Sequence, residues 1–545
     1  MSRPGYLRGD TLAIGLLVLL SVALWAPRLA GPLDLRYDAG VYYILGTALA
    51  EGQGYRLLNE PGAIQAIQYP PLLSAIVAVH QWLVGTSDPA VAGHALRCSF
   101  AVIFFVYVLA IFRLARRWLD TRWALVATLL VLLHIEVTWR SDLLFAELVF
   151  ASSTIGFLLL AESSERRWAP ALLGTAAYLL RSTGIALFAA WVLDAVLRRR
   201  FREALWRAAL AALPVVVWQA YISGVQGSPE YHQPAYEYQR AAYQFYNVGY
   251  LENMAYVDPF EPERGRVSTA EIARRVTTNM LGMPVALGES VSGDRNWVRV
   301  ALERLPESLR PASAVVVLVK VLFALLGLSS FVGLCGIVAR GARLLPLYWA
   351  GSLLLIVLTP WPAQFGRYLM PLAPLTALGL VNGIVTVWRR WPSRILRRTL
   401  AFGLIGILVA QVLALIVIFT QQHYKVVGGD YRLFFYDKAW QSHDAAIQWL
   451  AGDAPRDAVI ATATPHWVYL SIGRRAVFPP FTAAVDEAER LLESVPVDYL
   501  IIDEIALIDF TRRYALPVVR AFPDRWTLVH ETTPRGSSIY RRARP

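Results

Sequence analysis

The sequence predicts a polytopic α-helical membrane protein of about eleven crossings, followed by a small C-terminal α/β domain. Of its 545 residues, 56% are hydrophobic and 17% charged, against roughly 45–50% and 25% in ordinary soluble domains. A hydrocarbon core about 30 Å thick needs roughly 20 mostly apolar residues per helical crossing, and such runs recur until about residue 420. The net charge of +12 is gathered as arginine clusters in short loops between those runs. Cytoplasmic loops collect Lys and Arg, so this charge reports topology rather than nucleic-acid binding.

The first apolar run, Thr11 to Leu29, follows Arg3 and Arg8. It reads as an uncleaved anchor with the N-terminus inside. The alternative, a secretory signal peptide, is disfavoured by the length of the run and the lack of a small-x-small cleavage site. An outer loop, 31–93, follows. Within it Leu72 to Val84 is apolar but short and is interrupted by His80 and Gln81. A crossing there would turn Arg113, Arg116, Arg117 and Arg122 outward, so this segment is expected to be an interfacial helix.

Further crossings are expected near 95–112, 123–137, 142–161, 168–181, 183–197, 205–222, 313–339, 344–360, 367–388 and 399–420. The remaining clusters, Arg198 to Arg202, Arg340 with Arg343, and Arg389 to Arg398, then also face inward, and the C-terminus lies outside. The transmembrane domain is expected to span 1–420, including outer loops 31–93 and 223–312, with the soluble domain at 421–545. Loop 223–312 is dense in tyrosine (Tyr231, Tyr236, Tyr238, Tyr243, Tyr246, Tyr250, Tyr256) and should form a helix near Thr269 to Met280. In the tail, Asp444 to Leu450 and Asp486 to Ser494 read as helical; Ala458 to Thr462, Val497 to Asp503 and Trp526 to His530 read as extended.

Acidic residues at the outer end of a span are costly and usually have a task or a partner. Asp34 and Asp38 occupy that place, in LDLRYDAGVYY. A carboxylate there can take a proton from a nucleophilic hydroxyl; Asp38 also precedes a good helical run, where aspartate is a favoured N-cap. The two readings are compatible. Tyr69 opens YPPL, a rigid entry into the next helix. Cys98 and Cys335 lie in apolar runs without metal-ligand spacing and read as small buried hydrophobes. His80, His94, His134 and His232 lack two-ligand spacing with a carboxylate, so no metal site is expected.

The D-x-G-x-Y-Y context of Asp38, the ALAEGQGY helix end and the YPPL entry resemble the first outer loop of GT-C superfamily glycosyltransferases. The resemblance is to the bacterial relatives of protein O-mannosyltransferases and lipid A aminoarabinose transferases. RSDLLFAE, Arg140 to Glu147, and GRYLMP, Gly366 to Pro371, are similar to later family elements in the same order. The resemblance covers roughly residues 10 to 390 as an architecture.

It implies inverting transfer without a covalent intermediate, from a polyprenyl-phosphate sugar to a lipid, polysaccharide or protein acceptor, at the outer face of a bacterial inner membrane. Asp38 matches the family's base, and Asp142 is the second catalytic candidate. Many relatives carry another acid beside the base; here Ala39 follows, and a divalent metal has no support in the sequence.

A lipid-phosphate leaving group needs fixed cations, and arginine's fork suits phosphate. Arg181 and Arg367 are placed for this by the topology, with headgroup snorkelling as the alternative. Tyr368 is either a ligand or an interfacial anchor. Arg140 and Asp142 either pair with each other or Asp142 helps hold the sugar or the base. Asp34, Tyr69 and Arg140 complete the expected substrate-binding set. The tyrosine-dense loop offers stacking faces for a carbohydrate or forms an interfacial aromatic belt. A secondary transporter would instead show broken helices and mid-membrane ionisable groups. A lipid-linked polysaccharide ligase or polymerase would carry its key arginines in the large outer loop.

Overall fold

The computed structural model describes residues 4–163, 168–293, 313–425, 435–506, 508–532 and 536–543. Arg3 and positions 294–312 of the expected second outer loop lie outside the described residues. The chain divides into two compact units: Met1–Gly31, Arg97–Val216 and Ile272–Tyr431 form the first, and Pro32–Leu96, Val217–Glu271 and Arg432–Pro545 the second. This cut differs from the expected boundary at residue 420. The first outer loop and the second as far as Glu271 gather with the C-terminal tail because they share its packing: Tyr236 and Tyr238 lie among Val459, Val497, Leu500 and Trp526, and Ile44, Ala48 and Leu58 meet Tyr469 and Leu470.

Six helices are long and apolar enough to cross a membrane: Gly9–Arg28, Pro89–Ala115, Phe201–Gln226, Val315–Ala339, Pro362–Arg390 and Arg394–Thr420. A seventh arises if Thr121–Leu132 and Ile135–Asp142, bent by 55° at a break, make one crossing. Shorter apolar helices at Ala146–Ala161, Trp168–Leu180, Ser182–Leu197 and Leu344–Val357 fall on four further expected crossings. Leu72–Val84 forms a 13-residue helix, ending at Gly85 in the left-handed conformation.

Large apolar side chains such as Val317, Leu318, Val332, Ile405 and Leu413 stand more than half exposed on these helices. Such faces are stable only beside something apolar. Cys98 and Cys335 belong to the same outward surfaces and are exposed. That corrects the expectation of burial: an apolar run shows that a residue avoids water, not which side of the helix meets protein.

In the first unit the helix Ala373–Arg390 is buried on nearly every side through Val385. It packs on Ser313–Ala339 so closely that a Cβ on Gly333 would collide with the Gly379 carbonyl and one on Gly379 with the Ser330 carbonyl. Small residues at such crossings let helices approach closely.

In the second unit five strands, β1 (Val459–Ala461), β2 (Arg475–Val477), β3 (Val497–Ile502), β4 (Trp526–Glu531) and β5 (Ser538–Arg542), form one sheet ordered β2-β1-β3-β5-β4. β1 runs parallel to β2 and β3, while β5 is antiparallel to β3 and β4. The helices Lys438–Asp453, capped by Asp437, and Val485–Ser494 agree with the expected helical stretches. β2 and β5 are too short and too polar to have been anticipated. The edge of β2 is covered by Asn59, whose backbone oxygen and side chain bond Ala476 at 2.9 and 3.1 Å.

Candidate active site

In the second unit the chain before Asp38 is pinned by charge. Asp34 accepts from Arg36 through both oxygens, at 2.8 Å to Nη2, with both side chains essentially unexposed. The Arg36 guanidinium lies 4.8 Å from the Trp440 ring centroid. Tyr37 then turns at φ 59°, a conformation costly for a bulky residue, and occupies the N-cap of the helix Asp38–Ala50. Asp38 is therefore the first helical residue rather than the cap. Its Oδ1 accepts the Tyr246 hydroxyl at 2.7 Å, from a position where the helix N-terminus favours negative charge.

Aromatic rings close around this pair. Tyr246 meets His466 edge-on at 4.7 Å, Phe478 at 5.9 Å and Tyr69 at 6.1 Å; Tyr42 lies 4.7 Å from Tyr69. Burial pushes the Tyr69 hydroxyl well above its ordinary range, and the Asp38 charge adds to that. Burial holds the His466 imidazole down to about 3 against the opposing pull of Asp38, so it is neutral at pH 7. Gly40 makes the packing possible: a Cβ there would lie 2.9 Å from that of His466 and 3.0 Å from the Leu35 carbonyl.

In the first unit Glu147, in the first turn of the helix Ala146–Ser163, accepts from both Arg181 and Arg367. Arg367 also lies over Phe145 at 4.3 Å, and Arg181 lies 5.7 Å from the Tyr368 ring. Arg140 pairs with Glu136 at 3.1 Å and stacks on Trp139 at 4.1 Å. Arg140, Glu136, Arg367, His134 and Glu289 line a cavity of about 220 Å³. Asp142 is buried apart from them, held by Arg97 at 2.6 Å with Arg28 at 3.8 Å. Arg28 in turn donates to the Thr138 carbonyl and Ser141 Oγ. Among the described residues no three His, Cys, Asp or Glu side chains form a metal-holding group.

Asp38, Tyr69 and Tyr246 thus meet in one unit, and Arg140, Arg181, Arg367 and Tyr368 lie in the other with Glu147. Asp34 is taken up by an ion pair with Arg36, and Asp142 lies between Arg97 and Arg28. Glu147 was legible as an acid inside an apolar helix. His466 and Phe478 had no signal, being hundreds of residues from Asp38 in the chain.

These features define a helical membrane protein with a mixed α/β unit built from two loops and the tail. No protein-family model and no curated protein matches the chain. Among solved structures it is similar to the oligosaccharyltransferase of Archaeoglobus fulgidus tethered to an acceptor peptide containing the NVT sequon. That match has a TM-score of 0.47 and 14% identity, over 98% of this chain and 74% of that one. It is also similar to ArnT from Cupriavidus metallidurans, bound to undecaprenyl phosphate (TM-score 0.42, 11% identity, 97% of each chain). The apo form of ArnT gives 0.42 and 14%, over 97% of this chain and 98% of that one. Overlaps this loose transfer neither residues nor roles.

Proposed function

We propose that the chain is a membrane glycosyltransferase that moves a sugar from a polyprenyl-phosphate carrier to an acceptor hydroxyl at the outer face of a bacterial inner membrane. Asp38 is the general base. Its carboxylate takes the acceptor proton as the acceptor oxygen attacks the anomeric carbon. The bond from that carbon to the phosphate oxygen breaks, the electron pair leaves with the lipid phosphate, and the configuration inverts.

The observation that carries this reading is the Asp38–Tyr246 hydrogen bond at a helix N-terminus, inside an aromatic enclosure. It fixes one orientation of a half-buried carboxylate, as a base needs. Separately, Arg140 and Arg367 beside the cavity, with Arg181 sharing Glu147, supply planar forks suited to a phosphate.

A secondary transporter remains the second reading because of the 55° break between Thr121–Leu132 and Ile135–Asp142. The test is transfer from a panel of radiolabelled undecaprenyl-phosphate hexoses and pentoses by the full chain in lipid, comparing wild type with Asp38→Asn. Wild-type transfer lost in the folded variant supports both class and base. Transfer that survives removes the base, and no transfer from any donor to any membrane acceptor moves the transporter forward.

A further inference from the structure

The C-terminal sheet reaches the proposed base. In open α/β sheets, functional groups gather beyond the carboxyl ends of parallel strands, where the loops are free to vary. Here β1 ends at Ala461, and the loop Thr462–Thr464 leads into the helix Pro465–Ile472, whose second residue is His466. β2, parallel to β1, ends at Val477, and the next residue is Phe478. Both residues meet the ring of Tyr246, at 4.7 and 5.9 Å, and one another at 6.4 Å.

The support beneath them is stiff. Thr464 N donates to Thr462 Oγ1, the Thr464 hydroxyl pairs with His443 Nε2 at 2.6 Å, and Thr462 N donates to the Val477 carbonyl. The hydroxyl of Tyr238 bonds the Phe478 carbonyl at 3.0 Å. His466 itself is nine-tenths buried, and its Nε2 has no hydrogen-bond partner among the described residues. An imidazole buried at that cost contributes its ring and its shape here, since burial keeps it uncharged.

We infer that His466 is a positioning residue for Asp38: with Phe478 it wedges the Tyr246 ring so that the tyrosine hydroxyl stays on the carboxylate. The proposal rests on the reading of Asp38 as base. It makes the tail 432–545 part of the reaction machinery rather than an appendage to it. His466 acts through Tyr246 and touches no reacting atom.

The experiment is a double-mutant cycle in the transfer assay with radiolabelled undecaprenyl-phosphate sugars, using the full chain in lipid. Tyr246→Phe and His466→Ala are each expected to lower kcat about ten- to hundred-fold, as a misplaced catalytic group does, with donor KM within about two-fold. The double variant should be no worse than Tyr246→Phe alone, because both changes remove one hydrogen bond. His466→Phe keeps a ring of similar span and should recover to within about three-fold of wild type.

Loss of a donor to a carboxylate also moves the acidic limb of the pH–rate profile upward. Tyr246→Phe and His466→Ala should share that shift. Tyr69, beside the pair, is pushed well above its ordinary range by burial and by the Asp38 charge, and remains protonated through this range. Multiplicative effects in the cycle, or a His466→Ala enzyme with wild-type kcat and pH limb, overturn the inference while leaving the base in place. Transfer that survives Asp38→Asn overturns the base itself, and with it the inference, as does a wild-type protein inert with every donor. If His466→Ala does not fold, the inference stands or falls on His466→Phe and Tyr246→Phe: a His466→Phe enzyme as impaired as Tyr246→Phe overturns it.

Discussion

Asp142 accepts a hydrogen bond from Arg97 at 2.6 Å with both side chains at most 1% exposed, and Arg28 stands 3.8 Å away. Three charges so buried are stable only together, since removing one partner leaves an uncompensated ion. Asp142→Ala is therefore expected to cost roughly 3–5 kcal/mol. The loss should appear as a lower melting temperature and folded yield in detergent. A well-folded Asp142→Ala protein with only kcat reduced would return Asp142 to the chemistry.

Asp34 and Asp38 are four positions apart and should respond differently. Asp34→Asn weakens the bidentate pair with buried Arg36 and is expected to cost on the order of 2–4 kcal/mol. Asp38→Asn keeps a group able to accept the Tyr246 hydroxyl and should melt within about 2 °C of wild type, near the resolution of one weak interaction. Parallel thermal scans of the two variants separate the roles; equal destabilisation would make Asp38 structural.

Arg367 and Arg181 share Glu147. If their forks hold a lipid phosphate, Arg367→Lys keeps charge but loses the bidentate geometry. Its donor KM should rise about ten-fold, or roughly 1.4 kcal/mol, at nearly constant kcat. Undecaprenyl phosphate added as a competitor should weaken by a similar factor. Unchanged competition would leave Arg367 a structural partner of Glu147.

The second unit should loosen in acid. Burial holds His443 down to about 4 and His466 to about 3, against an ordinary value of 6.5. Between those limits the unfolded chain binds protons that the folded one refuses, so stability rises with pH up to 6.5 and is lost as pH falls below it. Each histidine contributes a slope of about 1.4 kcal/mol per pH unit. Protection factors for hydrogen exchange of the strands should fall between pH 7 and 5 in wild type and much less in a His443→Asn/His466→Asn variant. An equal fall in both would assign the effect to other groups.

Hydropathy made the helices legible because crossing a membrane is a local demand, met by the composition of each run. The helix Leu72–Val84 and the strand at Val497–Ile502, neither expected to cross a membrane, were visible as apolar runs of helical and strand length. Asp38, Arg181 and Arg367 stood out as charges at the ends of apolar runs.

What no run of residues encodes is the partner. Tyr246 meets Asp38 across 208 positions, Arg367 meets Glu147 across 220, and Asp142 takes Arg97 instead of nearby Arg140. The sequence by itself determined which segments avoid water and where the costly charges fall. Only the tertiary structure decided which of those charges neutralise one another, and that the tail's sheet supports the first loop's aspartate. Burial of a charge or a ring is satisfied by whatever the fold brings within a few ångströms, wherever in the chain it lies.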